Sequence, residues 1–449
     1  MRRCRVVVGV LLVMVVASGH GWCQAVEAGV DGPAPEVWRS ILERPSLTGG
    51  FWGLNEYLGG YGVEVAFGVT QVVGQNVHGG LSTDEQDGHY TGSYDLEIGA
   101  DTARLLGWEG GSVFMAAEGS WPKAEGIDPG SVGSFFGVND DAGGERAMDV
   151  TELWYQQDVW GDALQVRAGK VDLTSGFACS GMPSSFDGNL YANDENTQFL
   201  NGALVNNPTI PFPDNGLGVM AQWQPVGCTY VAAGVQDGQA DARETGLGTA
   251  FHDEDWFFYI AEAGVVVGQD RRAGALPGTY RVGLWLDGQE KQRYGSGRLK
   301  RDDVGWYVSC EQMVWCEPSD EGGTGASGGG GEQAEDEAES GEGLAVFGRY
   351  GWADEEVNEL GKFWSVGVSY KGLVPGRDDD VMAFGVAQGI FSDKADEFRE
   401  DAETACELYY RAVVMGSVAL SPSVQYIASP GGQGTSDAVV VGARLEMIF

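Results

Sequence analysis

The chain has 449 residues and a formal net charge of -39, an acid excess that argues against nucleic acid and anionic lipid as partners. Beyond the first segment, no stretch approaches the roughly 18 uninterrupted apolar residues of a membrane helix. A mean hydropathy of -0.17, 72 glycines and 11% aromatic residues nevertheless suit a chain that meets lipid through alternate residues of strands, where the hydropathy signal per segment is weak.

Arg2, Arg3 and Arg5 precede the apolar run Val6 to Ala17, and a polar, small-residue stretch leads on to Ala25 and Ala28. This layout predicts a signal peptide over residues 1–25, cleaved after Ala25. The apolar run of about 12 residues is too short for a bilayer that needs roughly 20. Trp22 stands before Cys23, where a lipid-anchored start needs a small residue. Losing the three arginines takes the formal charge to about -42. Residues 26–60 read as a periplasmic lead-in and 61–449 as an all-β transmembrane barrel.

The barrel reading rests on period-two alternation. Tyr61, Val63, Val65, Phe67 and Val69 share one strand face, and Glu64, Ala66, Gly68 and Thr70 the other. Tyr94, Leu96, Ile98 and Ala100 oppose Asp95, Glu97, Gly99 and Asp101; Tyr280, Val282, Leu284 and Leu286 oppose Arg281, Gly283, Trp285 and Asp287. The last segment sets Val441, Ala443, Leu445, Met447 and Phe449 against Gly442, Arg444 and Glu446. Such segments need an apolar surrounding on one side only. Sixteen antiparallel strands are expected, near 61–71, 93–102, 112–120, 149–158, 163–172, 217–224, 228–237, 256–265, 279–288, 303–313, 343–351, 362–371, 381–389, 406–415, 418–427 and 438–449. Tyr57, Tyr61, Trp160, Trp256, Trp306, Tyr350 and Trp364 fall near strand ends, as interfacial girdles require.

Connections after odd-numbered segments are long and most of the others short, the parity of external loops and periplasmic turns. The rule weakens in the middle, where residues 317–342 follow the tenth segment. This stretch holds the run Gly328 to Gly331 and the acidic segment Glu332 to Glu342, a disordered, solvated composition. Either it is an inserted periplasmic segment or the parity slips there. Residues 173–216 are the longest stretch without alternation. Phe177, Phe186, Phe199 and Phe212 predict that it packs inside the barrel and narrows the lumen.

Five cysteines follow Ala25: Cys179, Cys228, Cys310, Cys316 and Cys406. None has metal-site spacing, so neither metal nor cofactor is expected. Cys310 and Cys316 could pair if the chain turns between them, or stay as two thiols. Catalysis finds little support. His78, His89 and His252 lie in loops or at strand approaches, and the one GxSxG match, around Ser327, lies in low-complexity sequence rather than between a strand and a helix.

Several blocks carry a family likeness: LTGGFWGLNEY at Leu47–Tyr57, LQVRAGKVD at Leu164–Asp172, TYRVGLWLDG at Thr279–Gly288, FGRYGWA from Phe347, SVGVSYKGLVPGRDDD from Ser365, SPSVQYIASPGG from Ser421 and VVGARLEMIF from Val440. In order and spacing the chain resembles the carbohydrate-selective porins known as OprB. The resemblance implies a sixteen-stranded outer-membrane barrel that passes small sugars by diffusion. It also implies a terminal aromatic, here Phe449, read by the barrel-assembly machinery. Outer-membrane lipid is the expected surrounding, and a homotrimer is left open.

Sugar selectivity in a pore needs polar side chains that exchange hydrogen bonds with hydroxyls, an aromatic face, and binding weak enough for release. Alternation places Glu64, Asp95, Glu97, Arg167, Arg281, Trp285, Asp287, Arg349, Arg444 and Glu446 on the inner face. Arg281 with Trp285 is the preferred sugar-contacting pair. A general or cation-preferring ion porin, favoured by the acid excess, is the alternative to the sugar channel. A secreted, soluble β-rich binding protein is disfavoured by Phe449 and the connection parity.

Overall fold

A sheet with one apolar and one polar face is stable in a membrane when it curls until the polar face encloses water and no edge remains unpaired. In the computed structural model this is done by β1 (Val63–His78), β2 (Tyr90–Asp101), β3 (Gly111–Trp121), β4 (Arg146–Val159), β5 (Leu164–Val171), β6 (Gly216–Val226), β7 (Thr229–Asp237) and β8 (Phe257–Val267). The second half is β9 (Gly278–Asp287), β10 (Asp303–Cys316), β11 (Gly343–Ala353), β12 (Leu360–Lys371), β13 (Val381–Phe391), β14 (Ala402–Met415), β15 (Val418–Ala428) and β16 (Ala438–Ile448). The structure describes residues 46–85, 87–121, 126–160, 163–174, 198–226, 228–241, 250, 256–268, 276–317 and 342–449. The expected signal peptide, most of the acidic insertion, Phe177, Phe186, Cys179, His252 and Ser327 lie outside them.

Each strand pairs antiparallel with its neighbours in sequence, and β1 closes on β16 with Gly68 opposite Ile448 and Gly74 opposite Gly442. Every expected strand is found, shifted by a few residues at its ends. Connections between odd and even strands all emerge at one end, the loop end, and the others at the opposite turn end. The parity therefore does not slip. Glu317 and Glu342, which flank the acidic stretch, meet at the turn end through a 2.8 Å backbone hydrogen bond.

The outer face has the composition lipid demands. Val219, Val231, Val282, Leu284, Val308, Val366 and Phe384 stand exposed in a middle band. Tyr90, Tyr259, Trp306 and Tyr426 ring the loop end, with Trp306 and Tyr350 in ring contact at 5.5 Å. Tyr57, Tyr61, Trp160, Trp223, Tyr280 and Trp315 lie towards the turn end. Two aromatic belts around an apolar band match a bilayer and its interfaces.

At the turn end, Gly49–Gly59 forms α1, whose residues Gly49 to Gly53 all have positive φ and make a left-handed turn before the right-handed one. Asn55 fastens it to β1, donating to the Val65 carbonyl at 2.6 Å and accepting from the Val65 N–H at 2.8 Å. Phe449 donates its N–H to the Phe67 carbonyl at 2.9 Å, with the two rings 5.7 Å apart. Cys310 and Cys316 sit on one continuous strand. Six residues at about 3.3 Å each separate them by about 20 Å, beyond the roughly 7 Å that a disulfide tolerates between Cα atoms.

Candidate pore and its constriction

Register fixes which side chains point inward. Glu64, Ala66 and Gly68 of β1 face Gly99, Glu97 and Asp95 of β2, and Asp95 in turn faces Glu118 of β3. On the far side Arg281, Gly283, Trp285 and Asp287 of β9 face Ser309, Tyr307, Gly305 and Asp303 of β10. Ser309 faces Arg349. Arg167 points inward beside Gln156, and Arg444 and Glu446 face Ser421 and Ala419. All ten candidates thus share the inner face, but they do not share one environment.

Two long loops explain the difference. The loop between β3 and β4, described over residues 126–145, and the loop between β5 and β6, described over 172–174 and 198–215, fold into the barrel. Ile127, Val132 and Val138 of the first pack on Ala405, Ile427, Ala438 and Val440. In the second, Phe199, Ala203 and Leu204 pack on Phe347, Phe363, Ala383 and Tyr409, while Leu173 and Ile210 join Met220, Tyr230, Phe258, Ile260 and Trp285. Inward glycines make room: a Cβ on Gly351 would lie 2.0 Å from Thr209 Oγ1, and one on Gly385 would lie 2.8 Å from Leu204.

Buried wall groups then satisfy the loop backbone, as any chain removed from water requires. Glu407 accepts from the N–H groups of Leu200 at 3.0 Å and Asn201 at 2.9 Å. Its neighbour Gln425 donates to the Val138 carbonyl at 2.8 Å. Glu403 accepts from the Phe135 N–H at 2.8 Å, and Asn76 donates to the Ser131 carbonyl at 3.0 Å. Asn201 caps the short helix α2 (Gly202–Val205) by accepting from the Ala203 N–H at 3.1 Å.

Two of the four candidate arginines, Arg349 and Arg444, belong to this fastening, and the other two brace the wall. Arg349 donates to the Leu204 carbonyl at 2.9 Å. Arg444 bridges to Asp141 at 3.2 Å and also holds the Gln198 carbonyl. Arg167 lies 3.9 Å over the Trp154 ring. Arg281 pairs with Glu311 at 3.7 Å, next to Glu262, which accepts from both Tyr230 and Tyr307 at 2.6 and 2.7 Å.

The preferred pair is corrected here. Trp285 is 1% exposed and stacks on Phe258 beneath Phe212, and the Arg281 side chain is fully buried. Alternation gives a side chain's face but not what a loop lays over it. Asp287 holds Lys291 at 3.0 Å and so steadies the 288–302 loop. Glu446 contacts Arg411 at 3.4 Å towards the turn end. Of the ten candidates, only Glu64 and Glu97 are exposed, with Asp95 half-buried beside them.

The inward fold of the 126–145 loop was not anticipated, although Phe135 and Phe136 in a glycine-rich stretch were a signal. Between the loops lies an open concavity lined by Asp140, Thr174, Asn206, Asn207, Pro208, Ile210, Pro211 and Phe212. It joins amide, hydroxyl and carboxylate groups to an aromatic ring. The Asn206 Oδ1 has no hydrogen-bond partner among the described residues. Burial pushes the carboxyl of Asp128 in the first loop up to about 7, with Glu403 adding to the shift and the N–H groups of Ser134 and Gly133 opposing it.

A closed sixteen-stranded antiparallel barrel with an apolar outer band, two aromatic belts and loops folded into its lumen is an outer-membrane porin, a channel rather than an enzyme. The chain belongs to the carbohydrate-selective porins, since the family described as "Carbohydrate-selective porin, OprB family" matches residues 85–449. It is 23% identical over 411 residues to Porin B of Pseudomonas aeruginosa, covering 83% of this chain and 85% of that one. Among solved structures, the high-pH form of Pseudomonas putida OprB superposes with a TM-score of 0.73 at 20% identity, over 91% of this chain and 100% of that one. The low-pH form gives 0.53 at 19% identity, over 91% and 99%.

Proposed function

We propose that small neutral sugars cross the outer membrane by passive diffusion through this lumen and pause in the concavity between the inward loops. The observation that carries this is the juxtaposition there of Thr174, Asn206, Asn207 and Asp140 with Phe212. Hydroxyl-matching groups beside an aromatic face suit a pyranose, and an open site lets it leave. Glu64, Asp95 and Glu97 line the lumen on the approach, whereas Arg349 and Arg444 act by holding the loops and Arg167 and Arg281 by bracing the wall. The test is liposome swelling beside single-channel recording. Asn206→Ala is expected to lower the ratio of hexose entry to potassium chloride conductance. An unchanged ratio removes the concavity from the path.

Cleavage follows Ala25, which N-terminal sequencing of the exported protein tests. Phe449, beside Phe67 at the seam, is read by the barrel-assembly machinery, so deleting it is expected to deplete folded protein from the membrane; undiminished yield refutes this. A homotrimer is supported by Gln71 and Gln75 on the outer face of β1, which suit a subunit contact better than lipid; a monomer by cross-linking in mild detergent refutes it.

A further inference from the structure

Among the described residues, the charged side chains of the inner wall that are exposed are acidic. Glu64 and Glu97 point inward and are exposed. Asp95 lies beside them, directly opposite Glu118, which is itself opposite Asp149. Like charges on facing residues of neighbouring strands are unfavourable, so this row is not explained by stability. On the same side of the lumen, the first inward loop brings Asp141, which bridges to Arg444, and Asp140, which is exposed. The cations are elsewhere engaged. Arg167, Arg281, Arg349 and Arg444 are each 4–5% exposed and hold a loop carbonyl, a carboxylate or a ring. Lys170 is 3% exposed and donates to the Val150 carbonyl. Lys371 and Arg411 near the turn end are matched by Asp379 and Glu446. Arg146, half-buried and opposite Ser120, acts on Glu118 against Asp149.

We propose that the lumen sorts solutes by charge, with Glu64 and Glu97 as the discriminating side chains. Neutral and amino sugars pass, acidic sugars such as hexuronates and sugar phosphates are held back, and inorganic cations cross ahead of anions. An acid-lined passage with low-dielectric walls raises the local concentration of cations and lowers that of anions. The ion arm of this inference stands without the sugar reading; the sugar arm rests on it.

The experiment uses the full chain in planar bilayers under a potassium chloride gradient, and in liposomes swelling against glucose, glucosamine or glucuronate. A reversal potential of cation sign and slower entry of glucuronate than of glucose are expected. In the Glu64→Gln/Glu97→Gln double variant, checked for folding by its heat-dependent gel mobility, both preferences fall. The expected drop is about threefold per carboxylate, the effect of one charge about 7 Å away in water. At 1 M salt, where the screening length is about 3 Å, the wild-type preference shrinks as well. A reversal potential at zero or of anion sign overturns the proposal. So does glucuronate entry equal to that of glucose, or a double variant as cation-preferring as the wild type. Should glucose itself fail to enter, the sugar reading falls, and the reversal potential still decides the charge question.

Discussion

The inner wall is built twice over from the same alternating strands, yet its two parts do different work. From β5 round to β16 the inward residues include glycines, alanines, large aromatics, buried carboxylates and four buried arginines, and two loops lie against them. In the turn-end half of β1 to β3 the inward residues include Glu64, Ala66 and Glu97, which stay exposed, with Asp95 half-buried beside them. A wall that offers grooves together with hydrogen-bond donors and acceptors captures loop backbone, whereas a wall of facing carboxylates offers no donor that a carbonyl could use and repels acidic loops. The narrow pore is the space between a covered wall and an uncovered one.

The sharpest way to break this contrast is to strip an acceptor from the covered wall. Glu407→Ala leaves the Leu200 and Asn201 N–H groups without their partner, at about 1–3 kcal/mol for each buried donor. At about 1.4 kcal/mol per tenfold change in population, the undocked loop becomes a substantial species. Single-channel conductance is expected to rise and become noisy, and Glu407→Gln, which keeps an acceptor, to lie between. Wild-type conductance in the alanine variant means that the loop is held by its apolar contacts alone.

A smaller effect is expected from filling one groove. Gly351→Ala puts a methyl group 2.0 Å from Thr209 Oγ1 and 2.6 Å from Asn207 Oδ1, disturbing the 2.7 Å bond between those two residues. Overpacking of this kind costs about 1–3 kcal/mol, with a backbone shift that carries Asn206 and Pro208 with it. Sugar entry is expected to change more than thermal unfolding of the barrel, whose strand pairing is untouched. Equal sugar entry in the two proteins detaches this edge of the loop from the sugar path.

Much of the uncovered wall was legible in the sequence, because period two is a local property. Glu64 and Glu97 could be assigned to the inner face from their neighbours alone, as could the seam ending at Phe449. The covered wall was legible only as a direction. Arg281 and Trp285 were placed inward correctly, but their burial depends on Phe212 and Ile210, which arrive from a different part of the chain. The 126–145 loop was missed for the same reason: Val138 finds Gln425, and Phe135 finds Glu403, across nearly 300 residues that no periodicity links. The cysteine ambiguity dissolved because β10 runs unbroken through both positions, longer than the alternation alone had suggested.

The smallest expected effect concerns pH and the loop that the sequence hid. The Asp128 carboxyl, pushed from its ordinary 3.8 up to about 7, is favoured in its neutral form in the docked loop. The undocked loop, with an ordinary carboxylate, binds fewer protons between those two values. Docking is therefore strongest below about pH 4 and weakens as pH rises through about 7. The Asp128 Oδ1 accepts from the Ser134 N–H at 2.8 Å, and the Ser134 hydroxyl in turn donates to Glu403, so ionisation brings two negative groups against one short turn. Open-channel noise is expected to grow between pH 5 and 8. Asp128→Asn keeps an acceptor for Ser134 without the charge, and should flatten that rise while leaving the noise at pH 5 unchanged. A variant whose pH profile follows the wild type assigns the dependence to another carboxylate and removes Asp128 from the docking argument.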